Sequence, residues 1–515
     1  MSKVKVARFA SQVMIITILS KLMGFWRDAL IAKEFGTTYE TSAYMMSLNV
    51  SSILFGLMGL AITTTFIPML TRSLREKGKD DMYEFGNTVI NIIIILTTII
   101  GVLGWKFAPQ IVKIVACGYT GEIYDLTVQL TRLSVINVVF IGLTSGYTAI
   151  LQTMDNFAAP SLVGVAMNIC IIIYLLFTKN TTIEGLTIAT IIGNGSQILV
   201  QIPWLIKNKY KYSCKINFKD PRLKEMMTLI LPVLIGIGIN QINTLVDNNV
   251  ASNLNEAAVS VIQYANRLNS LVYGIFATSI ITVIYPTLAK YINAGEIKED
   301  FKKYLSKAIN NINLIMFPAT VGIIVLRTNI ISVAFKRGVF DEKSVEATAI
   351  ALLFLAIGTG VLGIRDIYNR AFYAIQDTKT PMKNSAIGVL TNVVLDITLV
   401  KFMGVGGLTL ATTISIFVST VLLALDLRKK IGNIDAVSVL KSGFKILVSS
   451  VMMGLVVYSI NTNILKYVSG NKGNMLSLMI CAVVGSIVYA IAINILKVEE
   501  YHDIKKYLLS KIKTK

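Results

Sequence analysis

The stretch SKLMGFWRDALIAKEFG, residues Ser20–Gly36, decides how the rest of this chain is read. It closes a long apolar run, Phe9–Leu19, of the kind that opens a membrane helix. Lys21, Arg27 and Asp28 then fall where such a helix tolerates charge least. Each costs about 2.5–3.5 kcal/mol near a helix centre on insertion scales, so such groups normally face a protein interior or a wet cavity. Lys21, Phe25 and Asp28 stand at i, i+4 and i+7 and share a helical face, while Arg27 points elsewhere. Arg27 and Asp28, adjacent in sequence, are therefore expected to be poorly placed to neutralise each other. Two readings stay open at this point. The charges either snorkel from a helix end to the headgroups, or they line a polar cavity inside the membrane.

Composition sets the class. Hydrophobic residues make up 54% of the 515 and charged residues 15%, against about 25% charge in a soluble domain. The expected fold is an all-α polytopic membrane protein. The net charge of +20 is spread over short loops between apolar runs, so it reports membrane topology rather than a nucleic-acid face. Cys117, Cys170, Cys214 and Cys481 show no metal or disulfide spacing. His502, in the tail, is the single histidine, which argues against histidine-based catalysis and histidine metal sites. The apolar run after Arg8 is too long for a signal peptide and lacks a small-residue cleavage pattern, so no cleavable leader is expected.

About fourteen apolar spans are long enough to cross a bilayer core: 9–33, 43–70, 87–108, 126–151, 161–178, 185–206, 226–250, 257–289, 305–326, 345–373, 383–402, 407–427, 440–462 and 475–497. The basic loops alternate between them. Lys3, Lys5 and Arg8 precede span 1, and Arg72, Arg75, Lys77 and Lys79 follow span 2. Seven basic residues run from Lys207 to Lys224 after span 6, and Lys290, Lys298, Lys302 and Lys303 follow span 8. Lys379 and Lys383 follow span 10, Arg428–Lys430 follow span 12, and Lys505, Lys506, Lys511, Lys513 and Lys515 sit in the tail. With fourteen helices these clusters share one side, which the positive-inside rule makes cytoplasmic, with both termini inside. The outer loop with Lys336, Arg337 and Lys343 is the exception, balanced by Asp341, Glu342 and Glu346.

A weak internal repeat supports the count. RDALIA (Arg27–Ala32) lines up with VDNNVA (Val246–Ala251), and FIPML (Phe66–Leu70) with IYPTL (Ile284–Leu288). AILQTMDNFAAP (Ala149–Pro160) resembles AFYAIQDTKTP (Ala371–Pro381), each a helix end followed by an Asp-containing turn and a proline opening the next helix. Six helices per repeat give both halves the same orientation, with the substrate site between them. The chain thus reads as two pseudo-symmetric six-helix lobes, 1–222 and 223–430, followed by two C-terminal helices and a basic cytoplasmic tail over 431–515.

The embedded charges can now be weighed. Asp247 in span 7 and Arg267 in span 8 join Lys21, Arg27 and Asp28 beside the expected axis between the lobes. A cavity with surplus Lys and Arg suits an anionic substrate, phosphate in particular; interhelical ion pairs holding the lobes together are the other reading. In span 11, Asn392 and Asp396 stand at i, i+4, and Thr412 lies in span 12. With Asp247 these supply oxygen ligands for a hard cation or a proton, although an interhelical hydrogen bond would use the same residues.

SKLMGFWRDALIA, then FIPML, QINTLVDNNVAS (Gln241–Ser252), YANRL (Tyr264–Leu268) and NRAFYAIQDTKTP (Asn369–Pro381), in that order, resemble the MurJ (MviN) lipid II flippases of the multidrug/oligosaccharidyl-lipid/polysaccharide exporter superfamily. The resemblance covers essentially the whole chain, including the two extra C-terminal helices. It implies a non-enzymatic transporter of a bacterial cell membrane, serving peptidoglycan synthesis and cell shape. An undecaprenyl-diphosphate-linked precursor would pass from inner to outer leaflet by alternating access. It also implies that Arg27, Asp28 and Arg267 are central-cavity charges, with the arginines on the diphosphate and Lys21 where relatives often carry Arg. Helices 13 and 14 would hold the polyprenyl tail. Asp247, Asn392, Asp396 and Thr412 match a sodium site of the family. Cell-wall synthesis proteins are possible partners.

The chain also departs from the family pattern. Helix 2 reads NVSSILFGLMGL (Asn49–Leu60) where relatives carry arginines and a glutamate, and a cavity aspartate is replaced near Ser42. Part of the expected diphosphate clamp is missing, which leaves another polyprenyl-diphosphate glycan as an alternative substrate. A cation-coupled multidrug antiporter would share the lobes and use Asp247 and Asp396, yet it needs no cationic centre. A membrane glycan transferase would need an outer-loop carboxylate or histidine cluster, and Asp341 and Glu342 read as an ordinary solvated group. A membrane scaffold gives no reason to keep Arg27, Asp28 and Arg267 in the bilayer.

Overall fold

The computed structural model describes residues 3–292, 299–503 and 505–506, and among them the chain is helical with no strand. The helices are α1 (Lys3–Phe35), α2 (Tyr39–Glu76), α3 (Lys79–Lys106), α4 (Ala108–Val115), α5 (Glu122–Ser134), α6 (Asn137–Thr153), α7 (Ala158–Phe177) and α8 (Ile183–Lys207). They continue as α9 (Pro221–Ser252), α10 (Ala258–Ile292), α11 (Glu299–Phe335), α12 (Glu342–Ala374), α13 (Lys379–Met403), α14 (Val405–Ile431), α15 (Ala436–Tyr467) and α16 (Gly470–Ile495). Side-chain oxygens start several of them: Thr182 accepts from the Gly185 N–H at 3.1 Å and Asp341 from the Ser344 N–H at 2.9 Å.

Each of the fourteen expected spans falls on a helix. Among the described residues, ten segments are long and apolar enough to cross a membrane. The other four spans coincide with α1, α2, α9 and α10, of 33, 38, 32 and 35 residues. The fourth span departs from expectation. It carries an irregular turn at Val135–Ile136, between α5 and α6, where the backbone stays right-handed helical and Glu122–Thr153 remains one span. Lys298, Lys511, Lys513 and Lys515, and the side chains of Lys3, Lys5, Arg8, Tyr285, Pro286 and Lys290, lie outside the described residues.

The chain forms two compact units, Met1–Ser260 with Arg337–Phe340, and Val261–Lys336 with Asp341–Lys515. In the first, α3 packs on α6, α6 on α8 and α7 on α8; in the second, α11 packs on α12, α12 on α14 and α13 on α14. Spans 3–6 and 9–12 therefore repeat one packing order. The repeat extends to a turn. Asp155 (φ 58°) and Gln376 (φ 60°) both adopt the left-handed conformation after a helix. The next residues, Asn156 and Asp377, donate their N–H to Leu151 O (2.9 Å) and Phe372 O (3.0 Å), the Schellman closure of a helix end. The side chains of Asn156 and Asp377 then accept the Ala159 and Thr380 N–H at 3.4 and 3.1 Å, which starts α7 and α13.

Phe66, Leu70, Phe85 and Ile90 anchor the core of the first unit, and Phe301, Ile312, Ile367 and Phe372 that of the second. In the second unit, α15 and α16 pack on each other and on α11. Asn461 joins this group, accepting from Asn329 at 2.8 Å and from the Ser477 hydroxyl at 2.6 Å. Their outer faces, including Leu440, Phe444, Leu455, Met479 and Val483, are exposed apolar surface.

Candidate functional site

Arg27 and Asp28 are buried in the first unit, 9% and 8% exposed. The Arg27 guanidinium donates to Asp28 Oδ1 from Nε (3.0 Å) and Nη2 (2.7 Å). Its Nη1 donates to Asn168 Oδ1 on α7 at 3.0 Å, and Asn168 Nδ2 donates to the Ser20 carbonyl at 3.2 Å. This corrects the expectation that Arg27 and Asp28, adjacent in sequence, are poorly placed to neutralise each other. The Arg27 side chain is long enough to turn back across the 100° between Cβ directions, and α7 supplies a third group that fixes the turn. Lys21 is exposed and Asp28 buried, so the face expected to join them is divided. Close approach makes the network possible: a Cβ on Gly164 of α7 would meet the Ser20 hydroxyl at 2.4 Å.

On α2, Ser42 and Asn49 make neutral contacts. The buried Ser42 hydroxyl donates to Ser260 Oγ at 3.1 Å, and Asn49 Nδ2 donates to Asn248 Oδ1 at 3.2 Å. Asp247, on α9 of the first unit, is half-buried and accepts from Asn243 at 3.1 Å. The start of α9 is tied to α2 and α3. Arg222 spans Asp81 (2.5 Å) and Asp220 (2.6 Å), and Arg72 pairs with Glu225 at 2.5 Å. Burial pushes the Asp220 carboxyl up, but the Arg222 guanidinium and backbone N–H outweigh it and hold the group below the usual carboxylate range.

In the second unit, Arg267 lies exposed on α10. The same unit holds charge that the sequence reading passed over. Arg365 stands 3.8 Å from Asp366 on α12, and the Tyr273 hydroxyl of α10 donates to Asp366 Oδ2 at 2.5 Å. Two residues from Arg267 on α10, Asn269 accepts from Thr359 at 2.6 Å. The signal was legible as GIRDIYNR (Gly363–Arg370) inside span 345–373, and Asn168 was legible as a lone amide in span 161–178.

Asn392 and Asp396 on α13 are both buried, and the Asn392 amide donates to Asp396 Oδ1 at 3.4 Å. Thr412 lies on α14, the helix packed against α13, and donates its hydroxyl to Leu408 O at 3.1 Å. The structure thus brings Asn392 and Asp396 together on one face, with Thr412 on the neighbouring helix. The buried carboxylate and amide, with the half-buried hydroxyl on the neighbouring helix, are oxygen donors of the kind a hard cation takes, so their chemistry fits sodium. Asp247 belongs to the other unit.

Helical spans that repeat one packing order, with ionisable side chains buried inside them, define a polytopic membrane fold. A solved inward-facing multidrug transporter of the MATE family and MOP superfamily shares it, with a TM-score of 0.67 at 17% identity over 83% of this chain and 99% of that one. A narrower match follows. The family model described as lipid II flippase MurJ matches residues 31–479, and the chain belongs to that family. A probable lipid II flippase MurJ of Buchnera aphidicola is 27% identical over 457 residues, 88% of this chain and 89% of that one. A solved lipid II flippase MurJ in an inward closed conformation aligns with a TM-score of 0.79 at 27% identity, over 94% of this chain and 99% of that one.

Proposed function

We propose that this protein flips lipid II, the undecaprenyl-diphosphate-linked peptidoglycan precursor, from the inner to the outer leaflet of a bacterial cell membrane. Its termini are cytoplasmic in this reading, and its role is transport rather than catalysis. Family membership supports the substrate. The observation that carries the mechanism is the buried Arg27, whose fork is already held by a carboxylate and an amide oxygen. A diphosphate offers the same acceptors with more charge, so capture exchanges Asn168 and Asp28 for phosphate oxygens on Arg27. Arg267 of the second unit and Lys21, both exposed, draw the anion in by their charge. The tail stays against lipid-facing helices, with the apolar faces of α15 and α16 as its groove. Neutralising the cationic centre lets the two lobes close and reopen outward. A sodium ion would be held by Asp396, Asn392 and Thr412 of the second unit, and would supply fixed positive charge there. The membrane potential also drives return of the empty carrier, at about 2.3 kcal/mol per charge across 100 mV.

The neutral contacts at Ser42 and Asn49 favour one second reading, a related polyprenyl-diphosphate glycan as cargo. The test is replacement of a cell's resident lipid II flippase by this chain. Growth establishes lipid II as substrate. Lysis despite normal membrane insertion assigns the protein to another lipid-linked glycan.

A further inference from the structure

The first unit carries a second feature, remote from the buried arginine in sequence and on different helices. Beside the α5–α6 junction lies a slot of about 420 Å³ against α3, walled by Gly101, Val102, Val135 and Val139 and headed by Trp105 and Arg132. Its volume falls within the range of small-molecule pockets. Two sequence features shape it. The irregular helical turn at Val135–Ile136 lines it, and Gly101 contributes no side chain, the nearest atom to a Cβ there being Val135 O at 3.8 Å. The Arg132 guanidinium lies over the Trp105 ring, 5.6 Å from its centroid. Both residues are exposed, and no acidic residue lines the slot. Trp105 stands in the last turn of α3, where tryptophan marks a membrane interface. From there the slot runs about 10 Å along α3 to Thr98.

A cation held by an aromatic ring at interface depth, above an apolar slot, matches one amphiphile: an anion at the headgroup and a hydrocarbon chain below. We infer that this slot is a binding site for an anionic glycerophospholipid, with its phosphate on Arg132 and one acyl chain lying between Gly101 and Val139. In the topology proposed above, the end of α3 faces the outer leaflet, so the site samples outer-leaflet lipid. The ordinary alternative is an Arg132 that meets whichever annular lipid passes.

Trp105 reports on the slot directly. The full chain, with Trp26→Phe and Trp204→Phe, is placed in phosphatidylcholine nanodiscs carrying a small mole fraction of phosphatidylglycerol brominated on its acyl chains. A site predicts Trp105 quenching several-fold above that mole fraction. Brominated phosphatidylcholine at the same fraction should quench only in proportion. Arg132→Gln and Gly101→Leu should each return quenching to the mole fraction, and Arg132→Lys should keep most of the excess. Proportional quenching in the parent protein overturns the site, as does an excess that survives Arg132→Gln. Displacement of the excess by undecaprenyl phosphate but not by unlabelled phosphatidylglycerol also overturns it and gives the slot to the cargo.

Discussion

Removing Asp28 should destabilise the protein more than removing Asn168, and removing both charges should restore much of the loss. Arg27 and Asp28 are 9% and 8% exposed, so Asp28→Ala leaves a guanidinium buried with one neutral acceptor. Breaking a buried pair from one side costs about 3–5 kcal/mol. Asn168→Ala removes one hydrogen bond to a charged donor at 3.0 Å and one amide donor to Ser20 O at 3.2 Å. The first is worth about 1.5–3 kcal/mol and sets the scale of that variant. Arg27→Met combined with Asp28→Leu removes both charges at similar volume, so its cost should fall below that of Asp28→Ala alone. Denaturant titrations in mixed micelles, followed by intrinsic fluorescence, give the ranking. The cycle formed by Arg27→Met, Asp28→Leu and the double variant should show coupling well above about 0.5 kcal/mol, the scatter of independent sites. Additive costs within that scatter would mean that the pair does not hold the region, and the account of Arg27 would fall.

Three further outcomes follow. At the α12–α13 turn, burial raises the Asp377 carboxyl while Lys430 and Thr380 lower it further, to about 2. A depressed carboxylate stabilises above its unfolded value and loses that contribution as pH falls through about 4 towards 2; the stability difference between the parent and Asp377→Asn should therefore close over that window, and a constant gap contradicts the pairing. Arg222→Ala strips Asp81 and Asp220 of their shared partner and should cost about 1.5–3 kcal/mol, with protection of the α9 N-terminus against hydrogen exchange falling first; unchanged protection contradicts the tether. Sodium in place of potassium should raise the unfolding midpoint of the parent by mass action and leave Asp396→Asn unmoved. Equal midpoints in the two salts would remove the ion site.

The helices were legible because apolar runs of membrane length have few alternatives in water or lipid. The repeat was legible in Ala149–Pro160 and Ala371–Pro381, where both copies build one turn on left-handed Asp155 and Gln376. The side-chain geometry of the candidate residues was legible in part. Spacing put Asn392 and Asp396 on one face, and they are in contact. Spacing failed for Arg27 and Asp28, since Cβ directions do not limit where a guanidinium on a flexible stem arrives. Asn168 is distant in sequence from Arg27 and becomes its partner only through the packing of α7 on α1. Arg365 and Asp366 went unremarked because their span is otherwise strongly apolar. The irregular turn at Val135–Ile136 carries no glycine or proline to announce it.

Outer-leaflet lipid II, measured in cells depleted of their resident flippase and carrying this chain, tests the central claim most directly. The account predicts that the parent restores outer-leaflet lipid II. Arg27→Ala with Arg267→Ala, inserted at equal level, should leave it at the depleted value. Restoration by that double variant would contradict capture of the diphosphate by these two arginines.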